Sequence, residues 1–335
     1  MQKKPLLIAE IGQAHDGSFG AAKAYVDLAK QSGADIVKFQ THFAQFESSS
    51  FEQWRIKFSD QDLSRYDYWE RMSFEKQLWY KLKNHAQDLG IGFVSSCFSV
   101  EAAQLLQELD VPFFKIASGE IANIPMINFI EKTNKPVVIS TGLSSDDEID
   151  RLLSIFGEAR VTLLHCVSRY PTPAEKVNLN RLTSLKHKYP GCKIGLSDHS
   201  GTIFPSILAL SLDIDLIELH IVFDRRAFGP DATSSLEPGE FLTVRNAIEF
   251  YSNMQDKSNS LKIDDDQAYR KTMLRTFGRS AFAKLDIEKD SVITEDKIIM
   301  KKPGIGLSYD YVMGKTKSAS RFISAGELIK EADLK

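Results

Sequence analysis

Lys-Ile-Gly-Leu-Ser-Asp-His-Ser at 193–200 is followed by an apolar helical run and then by Asp-Leu-Ile-Glu-Leu-His at 215–220. Two short apolar runs of strand character each deliver a histidine, His199 and His220, at a carboxyl end, with a helix-length segment between them. Two imidazoles from neighbouring strand ends could hold one divalent metal and leave positions open for water or a substrate oxygen. Each could equally be an ordinary surface or hydrogen-bonded histidine, so the rest of the chain has to decide.

Outward from that segment the same alternation repeats. Strands are expected at Leu6–Ile11, Ile36–Gln40, Gly92–Ser96, Phe113–Ala117, Val137–Thr141, Val161–Cys166, Lys193–Ser197 and Leu216–His220. Helices are expected at Gly20–Gln31, Phe74–Leu89, Val100–Leu109, Ile124–Lys132, Asp146–Phe156, Leu179–His187, Phe204–Leu212 and Pro238–Tyr251. In the first helix Ala22, Val26 and Ala29 recur at helical spacing while Lys23, Asp27 and Lys30 face the other way. Eight βα units in a row favour an α/β fold of the (β/α)8 TIM-barrel type over residues 1–253. Periodicity alone does not exclude an open doubly wound sheet. In a barrel the strand ends converge on one mouth, where chemistry sits.

After residue 253 the pattern changes. Residues 254–274 begin as a polar stretch poor in periodic apolar positions and read as a linker. Residues 275–335 form a small unit with strand-like pieces at Ser280–Leu285 and Ile298–Lys301 and a turn-rich Lys-Lys-Pro-Gly-Ile-Gly at 301–306. A unit of that size is marginal alone and is expected to lean on another surface. One insertion, His42–Ser73, is much longer than an ordinary βα connection and carries Trp54, Tyr66, Tyr68 and Trp69. It reads either as a lid at the barrel mouth or as a packed surface excursion.

The bulk properties exclude several classes. A formal net charge of −3 in 335 residues gives no electrostatic footprint for nucleic acid or an anionic membrane. The apolar run after Met-Gln-Lys-Lys-Pro is too short for a signal-peptide core, and no run approaches membrane-spanning length. Cys97, Cys166 and Cys192 lack metal-type spacing, and three thiols without an export signal fit a reducing cytoplasm.

The strand ends supply Glu10; Lys38 with Gln40 and Thr41; Ser95 and Ser96; Lys115, Ser118 and Glu120; Ser140 and Thr141; Ser168 with Tyr170; Ser197 with His199; and His220. Lysines inside apolar strands, as in Val-Lys-Phe-Gln and Phe-Lys-Ile-Ala, are costly unless the ammonium meets an anion. One such lysine could be a Schiff-base nucleophile, an anion clamp or half of a salt bridge; two among small hydroxyls favour the clamp. Phosphate binding by Lys38 and Lys115 beside a metal on His199 and His220 follows, with Glu10, Glu120 and a downstream acid handling protons or substrate hydroxyls. No Walker-type loop or dinucleotide glycine fingerprint is present, which moves kinases and dehydrogenases down.

At this level of detail the chain resembles the N-acetylneuraminate (sialic acid) synthase family. The resemblance rests on Ile-Ala-Glu-Ile-Gly-x-x-His-x-Gly-Ser at the start, Val-Lys-Phe-Gln-Thr, Lys-Ile-Ala-Ser-Gly-Glu, Ile-Ser-Thr-Gly, Leu-His-Cys, Tyr-Pro-Thr-Pro and Ile-Gly-Leu-Ser-Asp-His, in order. It extends to a C-terminal antifreeze-like (SAF) domain with Lys-Lys-Pro-Gly-Ile-Gly. The resemblance implies condensation of phosphoenolpyruvate with an N-acylated hexosamine, N-acetylmannosamine or a relative, to a nine-carbon acid with release of phosphate. It implies a divalent metal, Mn2+ or Mg2+, on His199 and His220 with Gln40 beside it. Lys38, Ser96, Lys115, Ser118, Ser140, Ser168 and Ser197 would line the phosphoenolpyruvate site, and Glu10, Glu120, Tyr170 and Asp231 would face the sugar. It further implies a cytoplasmic homodimer in which each antifreeze-like domain covers the partner's barrel mouth.

Departures from the family pattern bear on the acceptor. Asp16 replaces an Asn, Ser96-Cys97-Phe98 stands where Thr-Pro-Phe is common, and Ser168 stands where some members have Asn. Lys302 occupies the position of an Arg that touches the N-acetyl group, and Lys does not reproduce a planar guanidinium fork. The insertion 42–73 contains no Asn, although the family uses one there to touch the sugar. A diacetamido-trideoxyhexose leading to legionaminate- or pseudaminate-type acids is therefore an alternative acceptor. The rival classes are a metal-dependent hydrolase on a barrel and a carbohydrate-binding barrel that has lost the reaction.

Overall fold

The computed structural model describes residues 4–58, 60–255 and 267–335. The chain divides into two compact units, Met1–Lys257 and Ser258–Lys335. In the first, eight parallel strands close on themselves in sequence order: β1 (Leu6–Gly12), β2 (Ile36–Thr41), β3 (Gly92–Cys97), β4 (Phe114–Ile116), β5 (Val137–Ser140), β6 (Val161–Cys166), β7 (Lys193–Asp198) and β8 (Leu216–His220). Closure is the pairing of β8 with β1, where Leu6 to Glu10 run beside Leu216 to His220. That pairing excludes an open sheet. The helices are α1 (Phe19–Gln31), α2 (Ala44–Glu47), α3 (Arg65–Met72), α4 (Lys76–Asp88), α5 (Val100–Glu108), α6 (Ile124–Lys132), α7 (Asp146–Phe156), α8 (Asn180–Lys188), α9 (Phe204–Leu210) and α10 (Pro238–Gln255). The expected strand ends fall one residue short at β1, β2, β3 and β7 and one residue long at β4 and β5.

The register explains where the polar residues go. Ile8, Ile36, Val94, Phe113, Val138, Leu164 and Leu216 pack together as an apolar plug inside the barrel. Side chains alternate along a strand, so positions two residues on face the same interior. Those positions are Glu10, Lys38, Ser96, Lys115, Ser140, Cys166 and Glu218. On β7 the plug position is Gly195, where a Cβ would lie 2.4 Å from the Leu216 carbonyl oxygen and 2.7 Å from Leu164 Cδ2. Only glycine fits there, and Ser197 follows it. The opposite strand faces pack against the helices, with Leu7, Val37, Phe39 and Ile139 joining Trp79, Leu82 and Leu152 in the main core. Each large apolar side chain fully withdrawn there contributes roughly 1.5–3 kcal/mol.

The insertion 42–73 contains α2 and α3 and packs as a layer of its own, with Ala44, Tyr68, Trp69 and Met72 buried against Trp54, Phe58 and Tyr66. Ser64 starts α3 with a capping box: its hydroxyl accepts from the Asp67 N–H, and the Asp67 carboxylate accepts from the Ser64 N–H. Asp16, in a left-handed conformation (φ 48°), ties this layer to the barrel through Arg71 of α3 at 2.6 Å.

The second unit contains α11 (Gln267–Phe277), the antiparallel pair β9 (Ser280–Ala283) and β10 (Ile298–Lys301), and α12 (Tyr309–Met313). Its own small core includes Ala281, Ile287, Ile298, Val312, Ile323 and Ile329. Within the segment 254–274, expected as a linker, α10 ends at Gln255 and α11 begins at Gln267. The remainder of that expectation, 256–266, lies outside the described residues. Among the described residues no helix is long and apolar enough to cross a membrane.

Candidate active site

The carboxyl ends of the strands open into a cavity of about 610 Å3. That is within the range of small-molecule sites. Its floor is the polar layer above the plug. Lys38 Nζ lies 2.7 Å from Glu10 Oε2 and 3.6 Å from Glu218 Oε2, and donates to Ser96 Oγ at 3.1 Å. Lys115 Nζ donates to Ser140 Oγ at 2.7 Å and to the Ile116 carbonyl at 3.2 Å. Ser197 Oγ donates to Glu218 Oε1 at 3.0 Å. Lys38, Lys115 and Glu10 are each only 2% exposed.

The two ammoniums differ in kind. Burial works against the charge on Lys38, but Glu10 and Glu218 outweigh it and hold its pKa above the ordinary lysine value. For Lys115 burial wins, despite Glu218, and the pKa is depressed. Glu218 shows the reverse balance: burial raises its pKa, but Lys115 and Lys38 outweigh that and bring it below the usual carboxylate range. Among the described residues, Lys115 makes no ion pair, so it is the buried charge most in need of an incoming anion.

Above this floor, Gln40 Nε2 donates to Glu10 Oε1 at 2.9 Å. Gln13 Nε2 donates to Gln40 Oε1 at 2.6 Å, and the Tyr68 hydroxyl of α3 donates to Gln13 Oε1 at 2.9 Å. Gly12, at φ 53°, lets β1 turn away there; a Cβ would sit 3.4 Å from both Gln40 Nε2 and Glu10 Oε1. His199 and His220 face each other with ring centroids 5.5 Å apart. His199 Nδ1 is engaged with the Val167 carbonyl at 2.9 Å, which turns Nε2 inward. Burial and the nearby His220 lower the His199 pKa to about 4, so at neutral pH it is the uncharged base a metal would bind.

Tyr170 stacks on His199 at 4.2 Å, and the Arg55 guanidinium lies 4.3 Å over the Tyr170 ring. Arg55 also reaches Asp231 Oδ1 at 2.5 Å and the Pro230 carbonyl at 3.2 Å. Phe58 meets Phe228 with ring centroids 5.2 Å apart. The insertion is thus tied to the β8 loop by the Arg55 ion pair and hydrogen bond and by the Phe58–Phe228 contact. Glu120, on the turn after β4, accepts from Asn123 Nδ2 at 3.1 Å, and burial raises its pKa.

Glu10, Lys38, Gln40, Ser96, Lys115, Ser118, Glu120, Ser140, Ser168, Tyr170, Ser197, His199, His220 and Asp231 all line this one cavity. Thr41 and Ser95 do not; their hydroxyls meet each other at 2.8 Å on the outer strand faces. Lys302 belongs to the second unit, where its Nζ lies 5.5 Å over the Phe277 ring. Sequence reasoning missed Glu218, Arg55, Arg65 and Gln13. Glu218 had a signal: it is an in-strand charge in Leu-Ile-Glu-Leu-His, costly by the same rule that singled out the lysines.

A sequence model of the NeuB family matches residues 25–260. The chain belongs to the NeuB family. Among its relatives is the N,N'-diacetyllegionaminic acid synthase of Campylobacter jejuni, 34% identical over 98% of this chain and 100% of the relative. Human N-acetylneuraminate-9-phosphate synthase is 30% identical over 88% of this chain and 82% of its own length. In three dimensions the N-acetylneuraminic acid synthetase of Leptospira borgpetersenii superposes with a TM-score of 0.69 at 27% identity, covering 82% of this chain and 93% of that one. In this NeuB-family chain the floor charges and the two histidines share one mouth.

Proposed function

We propose that this NeuB-family enzyme condenses phosphoenolpyruvate with an N-acylated hexosamine to give a nonulosonic acid and inorganic phosphate. The observation that carries the reading is Lys115, a buried ammonium bonded to Ser140 and with no carboxylate at ion-pair distance among the described residues, beside Lys38, whose charge is met directly by Glu10 and Glu218. A phosphate seated there would relieve the cost of the buried charge. Lys38 and the serine hydroxyls would position the carboxylate end.

The donor set suits a divalent cation. Among the described residues no group of three or more His, Cys, Asp or Glu side chains forms a ready cage, but His199 and His220 face each other as a pair, and His199 is neutral at physiological pH. They would hold Mn2+ or Mg2+, whose chemistry is to polarise an aldehyde oxygen. The chain's own residues do the rest. Lys38 and Lys115 hold the enolpyruvate so that its C3 meets C1 of the open-chain sugar, and they stabilise the negative charge of the departing phosphate. Water adds at C2, and phosphate leaves by C–O cleavage. Glu10, held by Lys38 and Gln40, is placed to take the proton from that water or to position the sugar, and Glu120 with Asn123 offers hydrogen bonds to sugar hydroxyls.

A second reading of the acceptor has its own support. Phe46, Ile56, Phe58 and Leu143 line the outer cavity, while Arg55 and Arg65 are already paired with Asp231 and Glu52. An uncharged sugar with an apolar edge, such as a diacetamido-trideoxyhexose, fits that lining better than a phosphorylated one. Lys302 is assigned to the acyl end of the acceptor, in a cytoplasmic homodimer whose second unit serves the partner's barrel; light scattering after size exclusion tests the dimer. The reaction itself is tested by a coupled phosphate-release assay with phosphoenolpyruvate and a panel of N-acetylmannosamine, its 6-phosphate and diacetamido-trideoxyhexoses. Acceptor-dependent release supports the reading, and no release with any sugar removes it.

A further inference from the structure

His42 follows β2 by one residue and is 3% exposed. It lies between two aromatic rings, Trp69 of α3 at 3.8 Å and Phe98 at 4.2 Å, both within 20° of parallel. Its Nδ1 is 2.6 Å from Glu47 Oε1 of α2, and its Nε2 is 3.1 Å from Gln40 Oε1. The identity of the Gln40 oxygen is fixed by its other end. Glu10 is ion-paired with Lys38, so it is a carboxylate, and the Gln40 group facing it has to be the N–H donor. The atom facing His42 is then an acceptor, which also receives the Gln13 amide. Both ring nitrogens of His42 therefore face acceptors. A neutral imidazole donates from only one.

We propose that His42 is a doubly protonated imidazolium that fixes Gln40, and through it Glu10, to helix α2 of the insertion. The charge is met by Glu47 and by the faces of Trp69 and Phe98. Of the other titratable groups on this side, Arg65 lies 4.7 Å over the Trp69 ring and is paired with Glu52, Glu120 is near enough to Glu47 to feel its charge, and His15 stacks on Phe74 at 4.8 Å and is held neutral, its pKa lowered to about 3 by burial and then by His42 and Arg71. His42 borders the site cavity and acts through Gln40, as a positioning residue. It couples the seating of α2 to the orientation of Gln40: without the Glu47 carboxylate at Nδ1 the ring loses the reason for its second proton, and Gln40 loses a donor.

The inference rests on Glu10 and Gln40 belonging to the reaction site, but its first readout does not depend on turnover. Nitrogen-15 NMR of histidine-labelled full-length protein at pH 7.5 is expected to place both His42 ring nitrogens at protonated positions, assigned by their loss in His42→Phe. Glu47→Gln is expected to return the ring to a single N–H. A wild-type ring with one protonated nitrogen overturns the proposal, whether or not the enzyme turns over. In the phosphate-release assay, His42→Phe keeps the stacked ring and removes both donors. It is expected to lower kcat by about 100-fold, the scale of a misplaced reacting group, with KM for phosphoenolpyruvate unchanged. His42→Gln, which restores one amide donor towards Gln40, is expected to recover part of that loss. Wild-type kcat in a folded His42→Phe would also overturn the proposal. If that variant does not fold, the His42 resonances are assigned by their loss in His42→Gln, and the wild-type and Glu47→Gln spectra decide.

Discussion

Replacing Glu218 with glutamine tests the charge balance of the site floor with little change in shape. The variant keeps an oxygen for the Ser197 hydroxyl, which donates at 3.0 Å, and removes the carboxylate that faces both Lys38 and Lys115. Lys38 would retain Glu10 at 2.7 Å, but Lys115 would lose its main compensating charge. Removing one partner of a buried ion pair costs about 3–5 kcal/mol, and at about 2–4 °C per kcal/mol for a unit of this size Tm falls by roughly 6–20 °C. The sign with pH follows from the depressed pKa of Glu218. Its contribution is fully present above the ordinary glutamate value of 4.5 and is lost as pH falls through the depressed value, so the deficit of the variant is largest near neutrality and shrinks in acid. Inorganic phosphate brings negative charge to the same ammoniums and should raise Tm more in the variant than in the wild type. The assay is thermal unfolding by circular dichroism with and without phosphate. A Tm within a degree or two of wild type would refute the reasoning, as would equal protection of the two proteins by phosphate.

Four further outcomes follow from the same geometry. Lys115→Met removes a charge whose depressed pKa marks a cost to folding, so Tm should hold or rise while phosphate protection and turnover disappear. Phosphate affinity, read by calorimetry, should decline with rising pH before the ordinary lysine value of 10.5 is reached, because the depressed Lys115 loses its proton early. Arg55→Ala cuts the tie between the insertion and Asp231; KM for the sugar should rise with KM for phosphoenolpyruvate unchanged. Chelation should abolish turnover and Mn2+ or Mg2+ restore it, and His199→Ala/His220→Ala should not respond to either ion; full activity of that variant in chelator would contradict the metal assignment.

Much of the barrel was legible because each strand is a short apolar run bounded by turns and helices, and parallel strands buried on both faces leave that trace. The lysines, serines and histidines were legible for the same reason: polar residues at the ends of such runs stand out. Glu218 stood out equally, but its meaning depends on Lys38 and Lys115, 180 and 103 positions away in the chain, and closure of the barrel brings them together. The plug-and-floor register could have shown it, since Leu216 to Glu218 repeats the step from Ile8 to Glu10. The insertion hid its helices because α2 has four residues and α3 eight, too short for a periodic signal, although Ser64 and Asp67 marked the start of α3. Arg55 was hidden because its partners, Tyr170 and Asp231, come from loops after β6 and β8, and loop pairings have no period.

The most direct test of the central claim uses phosphoenolpyruvate carrying oxygen-18 in the bridge between C2 and phosphorus. With an accepted N-acylated hexosamine and Mn2+ or Mg2+, mass spectrometry should find the label in inorganic phosphate, together with a product equal in mass to the sugar plus pyruvic acid. Label retained in pyruvate or in the sugar product, or label in phosphate with no condensation product, would contradict the account.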